Sequence, residues 1–242
     1  MRILITNDDG IGASGLIPLV KWAQKLGEVV VAAPKFEQSG KSHSIEIHKA
    51  FEVKQVELLP GVRFFAVDSS PADCVRYAVL GLHEHFDLVI SGINRGLNVG
   101  TDIMYSGTVA AVFEAAALGV QAMAVSTEPR YYDRAIEHMD RIWTYMEENK
   151  LFDIHPLYHV NISAGAGDIR ITRQGGPYYS DDFLPQENDM ILPCGKDIFE
   201  ESGNLEIDTD AVLRGGLISV MPLTTVRADL QVFAQLKEKL NP

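Results

Sequence analysis

Apolar positions along this chain follow two rhythms. Ile3 to Ile5, and the stretches 29–33, 63–67, 86–90 and 121–126, are short dense apolar runs rich in β-branched residues. Such runs, without alternation, predict strands buried on both faces, as in a parallel sheet. Between them apolar residues recur every three or four positions, which predicts helices over 16–26, 72–82, 109–118 and 130–149. Ser70 is a candidate N-cap with Pro71 in the first turn, and Gly119 a candidate stop for the third helix. Strand and helix alternating in this way predict the α/β class: a Rossmann-like three-layer α/β/α core around a mostly parallel sheet.

Residues 45–67 alternate apolar and polar around a Pro60, Gly61 turn and read as a β-excursion. Beyond residue 151 the rhythm loosens. Strands are predicted over 158–162, 169–172 and 217–221, a short helix over 208–213 and a terminal helix over 228–240, with an irregular acidic and aromatic loop at 175–188. No linker or repeat divides the chain. The expectation is a single domain, with a core over 1–150 and an extension over 151–242 that completes the sheet and supplies subunit contacts.

Composition narrows the function classes. A 46% apolar content supports a packed core, and a formal net charge of −12 disfavours binding to a nucleic-acid duplex. Cys74 and Cys194 form neither a metal-ligand spacing nor a disulfide framework. With no apolar run of membrane-spanning length and no leader pattern, a cytoplasmic protein without membrane contact is expected.

The chemistry is predicted where the strands stop. The first run ends in Asn7, Asp8, Asp9 and Gly10. Adjacent carboxylates at a buried strand tip repel each other, and a divalent cation is the simplest compensation. Gly10, Gly12 and Gly15 match the dinucleotide fingerprint, but the acidic pair would face the pyrophosphate and the second strand ends in Pro34 instead of an acidic residue. The loop 34–48 is long enough to be functional; Ser39 can offer a hydroxyl to the metal, and His43 is a candidate proton carrier. The fourth strand ends in Asn94 and Arg95, an amide oxygen for a hard cation and a fork for phosphate. Ser106, Gly107 and Thr108 open a helix, where free amides favour an anion. Asp8, Asp9, Ser39 and Asn94 make an all-oxygen set suited to magnesium or manganese, with calcium a further candidate. Phosphate-ester hydrolysis follows, with Asp8 and Asp9 as catalytic candidates and Arg95 and the helix start at Ser106, Gly107 and Thr108 at the phosphate. A non-catalytic nucleotide sensor on the same sheet is the alternative.

These motifs together resemble the SurE family of stationary-phase nucleotidases: Asn-Asp-Asp-Gly at 7–10, Ala-Pro at 33–34 with Gln-Ser-Gly at 38–40, Ser-Pro-Ala-Asp-Cys at 70–74, Ser-Gly-Ile-Asn at 91–94 with Gly96 and Asn98, and Tyr-Ser-Gly-Thr at 105–108. Asp-Thr-Asp at 208–210 and the stretch 218–223 extend the likeness. The resemblance implies a divalent-metal phosphatase of nucleoside 5′- and 3′-monophosphates, in some members also of short polyphosphate. It also implies Asp8, Asp9, Ser39 and Asn94 as metal ligands, Asn7 as a further catalytic candidate lining the phosphate pocket with Ser106, Gly107 and Thr108, and a homodimer or homotetramer that exchanges its C-terminal extension. Ser69 with Ser70, Ala110, Ala115 and residues 175–183 depart from the family pattern, which bears on pocket shape and substrate ranking.

Overall fold

The computed structural model of the chain describes residues 1–240. Among them a nine-stranded sheet runs in the order β3-β4-β2-β1-β5-β6-β7-β11-β8, and β9 and β10 form a separate pair. The first half contributes β1 (Arg2–Thr6), β2 (Glu28–Pro34), β3 (Val53–Val56), β4 (Arg63–Val67), β5 (Leu88–Arg95) and β6 (Gln121–Thr127). The second contributes β7 (Leu157–Ile162), β8 (Ile169–Ile171), β9 (Tyr179–Pro185), β10 (Ile191–Asp197) and β11 (Ile218–Pro222). From β4 through β7 the pairing is parallel; β3 runs against β4, and β11 against β7. This is the mostly parallel α/β sheet expected from the dense apolar runs.

Alternate residues of β1 divide between two cores. Ile3 and Ile5 pack with α1 (Leu16–Ala23) and α4 (Met139–Glu148) on one face. Leu4 packs on the other with α2 (Pro71–Arg76) and α3 (Gly107–Ala117). The short helices α5 (Leu151–Ile154) and α6 (Asp208–Leu213) lead into β7 and β11, and α7 (Leu230–Leu240) ends the described chain. No helix among the described residues is long and apolar enough to cross a membrane.

Some expected elements differ. Residues 130–149 are not one α-helix: Pro129–His138 winds as a 3₁₀ helix before α4. Its buried residues, Tyr132 and Ala135, stand three apart, the repeat of a 3₁₀ helix. The helix expected over 72–82 is α only to Arg76, then a π turn over Tyr77–Gly81, where the Leu82 N–H bonds the Tyr77 carbonyl at 2.9 Å. The Tyr77 ring meets Phe65 edge-on and fills the space beside Gly81. The loop expected over 175–188 is instead half of the β9–β10 hairpin, turned by Asn188 and Asp189, both left-handed. Its side chains are largely exposed, so no apolar alternation marks it, and Pro185 and Pro193 further mask the strands.

Strand order fixes where ligands can bind. From β1 the chain moves outward through β2 to β4, then returns to β5 on the other side of β1 and continues to β6 and β7. The switch point lies between the carboxyl ends of β1 and β5, where an open sheet leaves a crevice.

Candidate active site

A cavity of about 470 Å³ opens at the switch point. The tip of β1 brings Asp8 and Asp9 to its wall, the loop after β2 brings Ser39, the end of β5 brings Asn94 and Arg95, and the start of α3 brings Ser106. Elements distant in sequence thus converge, as the sheet's topology requires.

Local bonding decides which atoms face inward. The Gly10 N–H donates to Asn7 Oδ1 at 3.1 Å, and Asn7 Nδ2 donates to the Gly10 carbonyl at 3.0 Å. Gly10 is left-handed (φ 96°), a conformation that disfavours a side chain, and this turn presents the two aspartates. Asn94 Nδ2 donates to the Gly96 carbonyl at 2.9 Å, which leaves its amide oxygen for the cavity. Ser106 caps α3: its Oγ accepts the Val109 N–H at 3.1 Å, and its own proton stays available. The Arg95 N–H donates to Asp9 Oδ2 at 3.2 Å, and Arg95 lies on the cavity wall.

Three residues expected at the phosphate lie elsewhere. Asn7 is buried and its amide is spent on Gly10, so it does not line the cavity. Gly107 sits beneath Asp8, where a Cβ would come within 2.8 Å of the Asp8 Cβ. Thr108 is fully buried and gives its hydroxyl and its backbone N–H to Asp8. The group at the α3 N-terminus is therefore the Asp8 carboxyl, which stands on the cavity wall with Gly107 and Thr108 behind it. The helix-start signal was sound, but its occupant is the chain's own side chain. His43 is also displaced: it bonds Glu114 at 2.8 Å and lies outside the acidic cavity, away from a role as proton carrier there.

Other wall residues carried no expectation. Glu37, Asp102, Tyr105, Tyr132 and Asn98 join the wall. Glu37 accepts the Ser39 hydroxyl at 2.6 Å. Its place two residues before Ser39 in the long loop was the available signal. Tyr132 arrives from the 3₁₀ segment and takes the Gly15 N–H on its phenol oxygen at 3.0 Å.

Charge on the wall is mainly negative. Burial raises the Asp8 pKa above the usual carboxylate range despite the Thr108 bonds. Burial, then the neighbouring Asp8 charge, pushes Asp9 up to about 6. Such a pair ionises readily only beside a compensating cation. The donor set fits a hard divalent ion: two carboxylates, an amide oxygen free of other bonds and a hydroxyl. No three His, Cys, Asp or Glu side chains gather at metal-binding distance among the described residues, and Ser39 and Asn94 add neutral oxygens beside the acid pair on the wall.

Fold and site define a class: an open α/β protein with hard-cation ligands gathered at its switch point. A family model described as survival protein SurE matches residues 3–181. The 5′-nucleotidase SurE of Pseudothermotoga lettingae is 36% identical, with 100% of this chain and 95% of the relative covered. That of Gemmatimonas aurantiaca is 39% identical, with 92% of each covered. The crystal structure of the SurE protein from Aquifex aeolicus superposes with a TM-score of 0.77 at 30% identity, over 99% of both chains. The chain belongs to the SurE family.

Proposed function

We propose that this protein is a 5′-nucleotidase: a divalent-metal-dependent phosphomonoesterase that hydrolyses nucleoside 5′-monophosphates to nucleoside and phosphate. The observation that carries the reading is the convergence of Asp8, Asp9, Ser39 and Asn94 on one cavity. The 36–39% identity to proteins named 5′-nucleotidase supports the same substrate class. Nucleoside 3′-monophosphates and short polyphosphate are further substrates within the proposal. A sensor that only binds nucleotides would have no use for a raised carboxylate pair.

Asp8, Asp9, Ser39 and Asn94 would hold the ion, magnesium or manganese by the hardness of the set. When bound it supplies Lewis acidity, drawing charge from the phosphoryl oxygens and making water more acidic. Arg95 and the Ser106 hydroxyl hold the phosphate from the cavity wall. Asp8 is restrained by Thr108, so Asp9 is the freer carboxylate and accepts the proton of the attacking water. The new P–O bond forms as the ester P–O bond breaks, and the nucleoside oxygen takes a proton from solvent water as it leaves, while Asp9 returns the proton it accepted to solvent.

The extension supports a homo-oligomer, a dimer or a tetramer. No residue of α7 is buried, and Leu230, Phe233, Leu236 and Leu240 are exposed along it. Apolar faces of this kind mark an interface. Cys74 and Cys194 are both free, in keeping with a reducing, cytoplasmic setting.

The test is phosphate release from a panel of nucleoside monophosphates with magnesium, manganese or calcium. Release should need a divalent ion and stop in chelator. Undiminished release in chelator would overturn the proposal.

A further inference from the structure

Leu97, Asn98 and Asp102 reach the cavity wall from the segment that follows β5. Beyond a single bridge between Gly96 and Thr127 this segment belongs to no strand. Its backbone groups end instead on side chains from the second half of the chain. Asn161 takes the Asn98 N–H on Oδ1 at 3.0 Å and donates Nδ2 to the Asn98 carbonyl at 3.0 Å. Asp208 Oδ2 takes the Gly100 N–H at 2.9 Å, and Gln174 Nε2 donates to the Gly100 carbonyl at 2.9 Å. We propose that Asn161 and Asp208 are positioning residues of the reaction, acting through the place they give to Asn98, Asp102 and, at the root of the segment, Asn94 and Arg95; the proposal rests on the nucleotidase reading.

The sheet gives up apolar packing to make the first clasp. One face of β6, β7 and β11 is apolar at Ala122, Ala124, Leu157 and Met221. Towards the cavity the same face turns polar: Ser126, Asn161 and Ser219 stand side by side in register, all wholly buried. A buried polar side chain is costly unless it is hydrogen-bonded. The Asn161 amide spends both of its ends on the backbone of one residue, and Asn98 Nδ2 returns a bond to Ser126 Oγ at 2.9 Å. Asn98 is thus gripped by backbone and side chain together.

Asp208 makes the second clasp from the extension. It is wholly buried, and its Oδ1 accepts the Gly175 and Thr209 N–H groups at 2.7 and 2.8 Å, which leaves Oδ2 to Gly100. The two backbones meet closely here. Gly100 is left-handed (φ 59°), and a Cβ on it would stand 2.0 Å from the Gly176 carbonyl oxygen. Both clasps join the halves of the chain: 63 residues separate Asn98 from Asn161, and 108 separate Gly100 from Asp208. Releasing either one frees the stretch after Asn94 and Arg95, while Asp8, Asp9 and Ser39 keep their own supports on β1, α3 and the loop after β2. A wall fixed in advance spares the reaction the cost of ordering it.

Three variants test this with adenosine 5′-monophosphate and magnesium, each assayed well below its melting temperature. Asn161→Leu keeps most of the volume and removes both bonds to Asn98. Asn161→Asp restores both at pH 6, where burial keeps the introduced carboxyl protonated, one oxygen accepting and the other donating. Asp208→Asn keeps an oxygen for Gly175 and Thr209 and turns an NH₂ group towards the Gly100 N–H. Asn161→Leu and Asp208→Asn should lower kcat by about 10²-fold, the scale of a displacement of about 1 Å at a reacting centre. KM should stay within about threefold of wild type. Amide exchange over residues 97–104, followed by mass spectrometry, should quicken in both. Asn161→Asp at pH 6 should regain about tenfold or more of the lost kcat, together with slow exchange. Quickened exchange with kcat unchanged would overturn the proposal and reduce the clasps to supports of the fold. Lost kcat with exchange unchanged, or with no recovery in Asn161→Asp, would overturn it as well. Should Asn161→Leu not fold, Asp208→Asn decides by the same two readings. Each of these outcomes leaves the nucleotidase reading standing; wild-type protein that releases no phosphate would overturn both.

Discussion

The centre of the sheet and the end of the chain use the same kinds of residue to opposite effect. In β1, Ile3, Leu4 and Ile5 are wholly buried between two helical layers. In the β9–β10 hairpin, Phe183, Leu184, Ile191 and Leu192 face outward, and Phe233 of α7 is 59% exposed. The first region completes its core within one chain; the second carries apolar surface that one chain does not cover. The chemistry sits with the completed region. Only where packing excludes water does a carboxylate pair rise to the pKa that makes it useful to a cation and a proton. In the homo-oligomer we propose, burial of the exposed region is deferred to another copy.

The largest expected effect strikes the buried region without unfolding it. Asp9→Asn removes what we propose as a ligand and a proton acceptor together, so metal-stimulated phosphate release should fall by about 10³-fold, within the range for a lost acid–base group. The same change removes a like charge from beside Asp8. In chelator the variant should therefore melt above wild type by a few degrees, for a gain of about 1 kcal/mol after allowance for solvent near Asp9. A variant that lost activity because it unfolded would show the opposite shift in melting.

Next in size is an attack on the exposed region. Phe233→Asp with Leu236→Glu places charge on neighbouring positions of the α7 apolar face. If that face is covered by another copy, two buried apolar groups are lost at roughly 1.5–3 kcal/mol each, weakening association by about 10²-fold or more. Light scattering over a dilution series should show smaller particles, while circular dichroism of the core stays as in wild type. Unchanged mass would mean that the extension does not join copies, and the contrast between the two regions would lose its meaning.

The contrast also explains what was legible beforehand. Buried parallel strands announce themselves by density, so β1, β2, β4, β5 and β6 could be read from apolar runs alone. The acid pair, Ser39, Asn94, Arg95 and Ser106 were legible because the sheet's topology gathers strand ends, and all of them lie on one cavity wall. Asn7, Gly107 and Thr108 were misplaced for a different reason. Sequence shows that a residue is polar and near a strand tip, not whether its hydrogen bonds are already taken by its neighbours. Tyr132 was invisible because its direction is set by a 3₁₀ turn, whose side-chain positions follow no simple period, while Glu37 had only its place beside Ser39 in the long loop to mark it. The hairpin failed because neither face is buried within the chain, so the pattern that marks a strand was never written into it.

The smallest expected effect concerns a group that the buried region holds neutral. His159, on β7, is wholly enclosed, and burial lowers its pKa to about 3. Asn98 Nδ2 donates to Ser126 Oγ at 2.9 Å, the Ser126 hydroxyl shares a hydrogen bond with His159 Nε2 at 3.1 Å, and the buried His159 Nδ1 has no partner among the described residues. The unfolded chain protonates this histidine near pH 6.5 and the folded chain does not until about pH 3. Between those values the unfolded state binds the extra proton, so folding stability falls as pH drops below about 6.5, by at most about 1.4 kcal/mol per pH unit. His159→Gln keeps a polar partner for Ser126 without a titrating ring. Melting curves of the two proteins from pH 7.5 to 5 should converge as the pH falls, because wild type alone bears this cost. Curves that stay parallel would mean that water reaches the imidazole and that the centre of the sheet is less closed than the contrast with the hairpin requires.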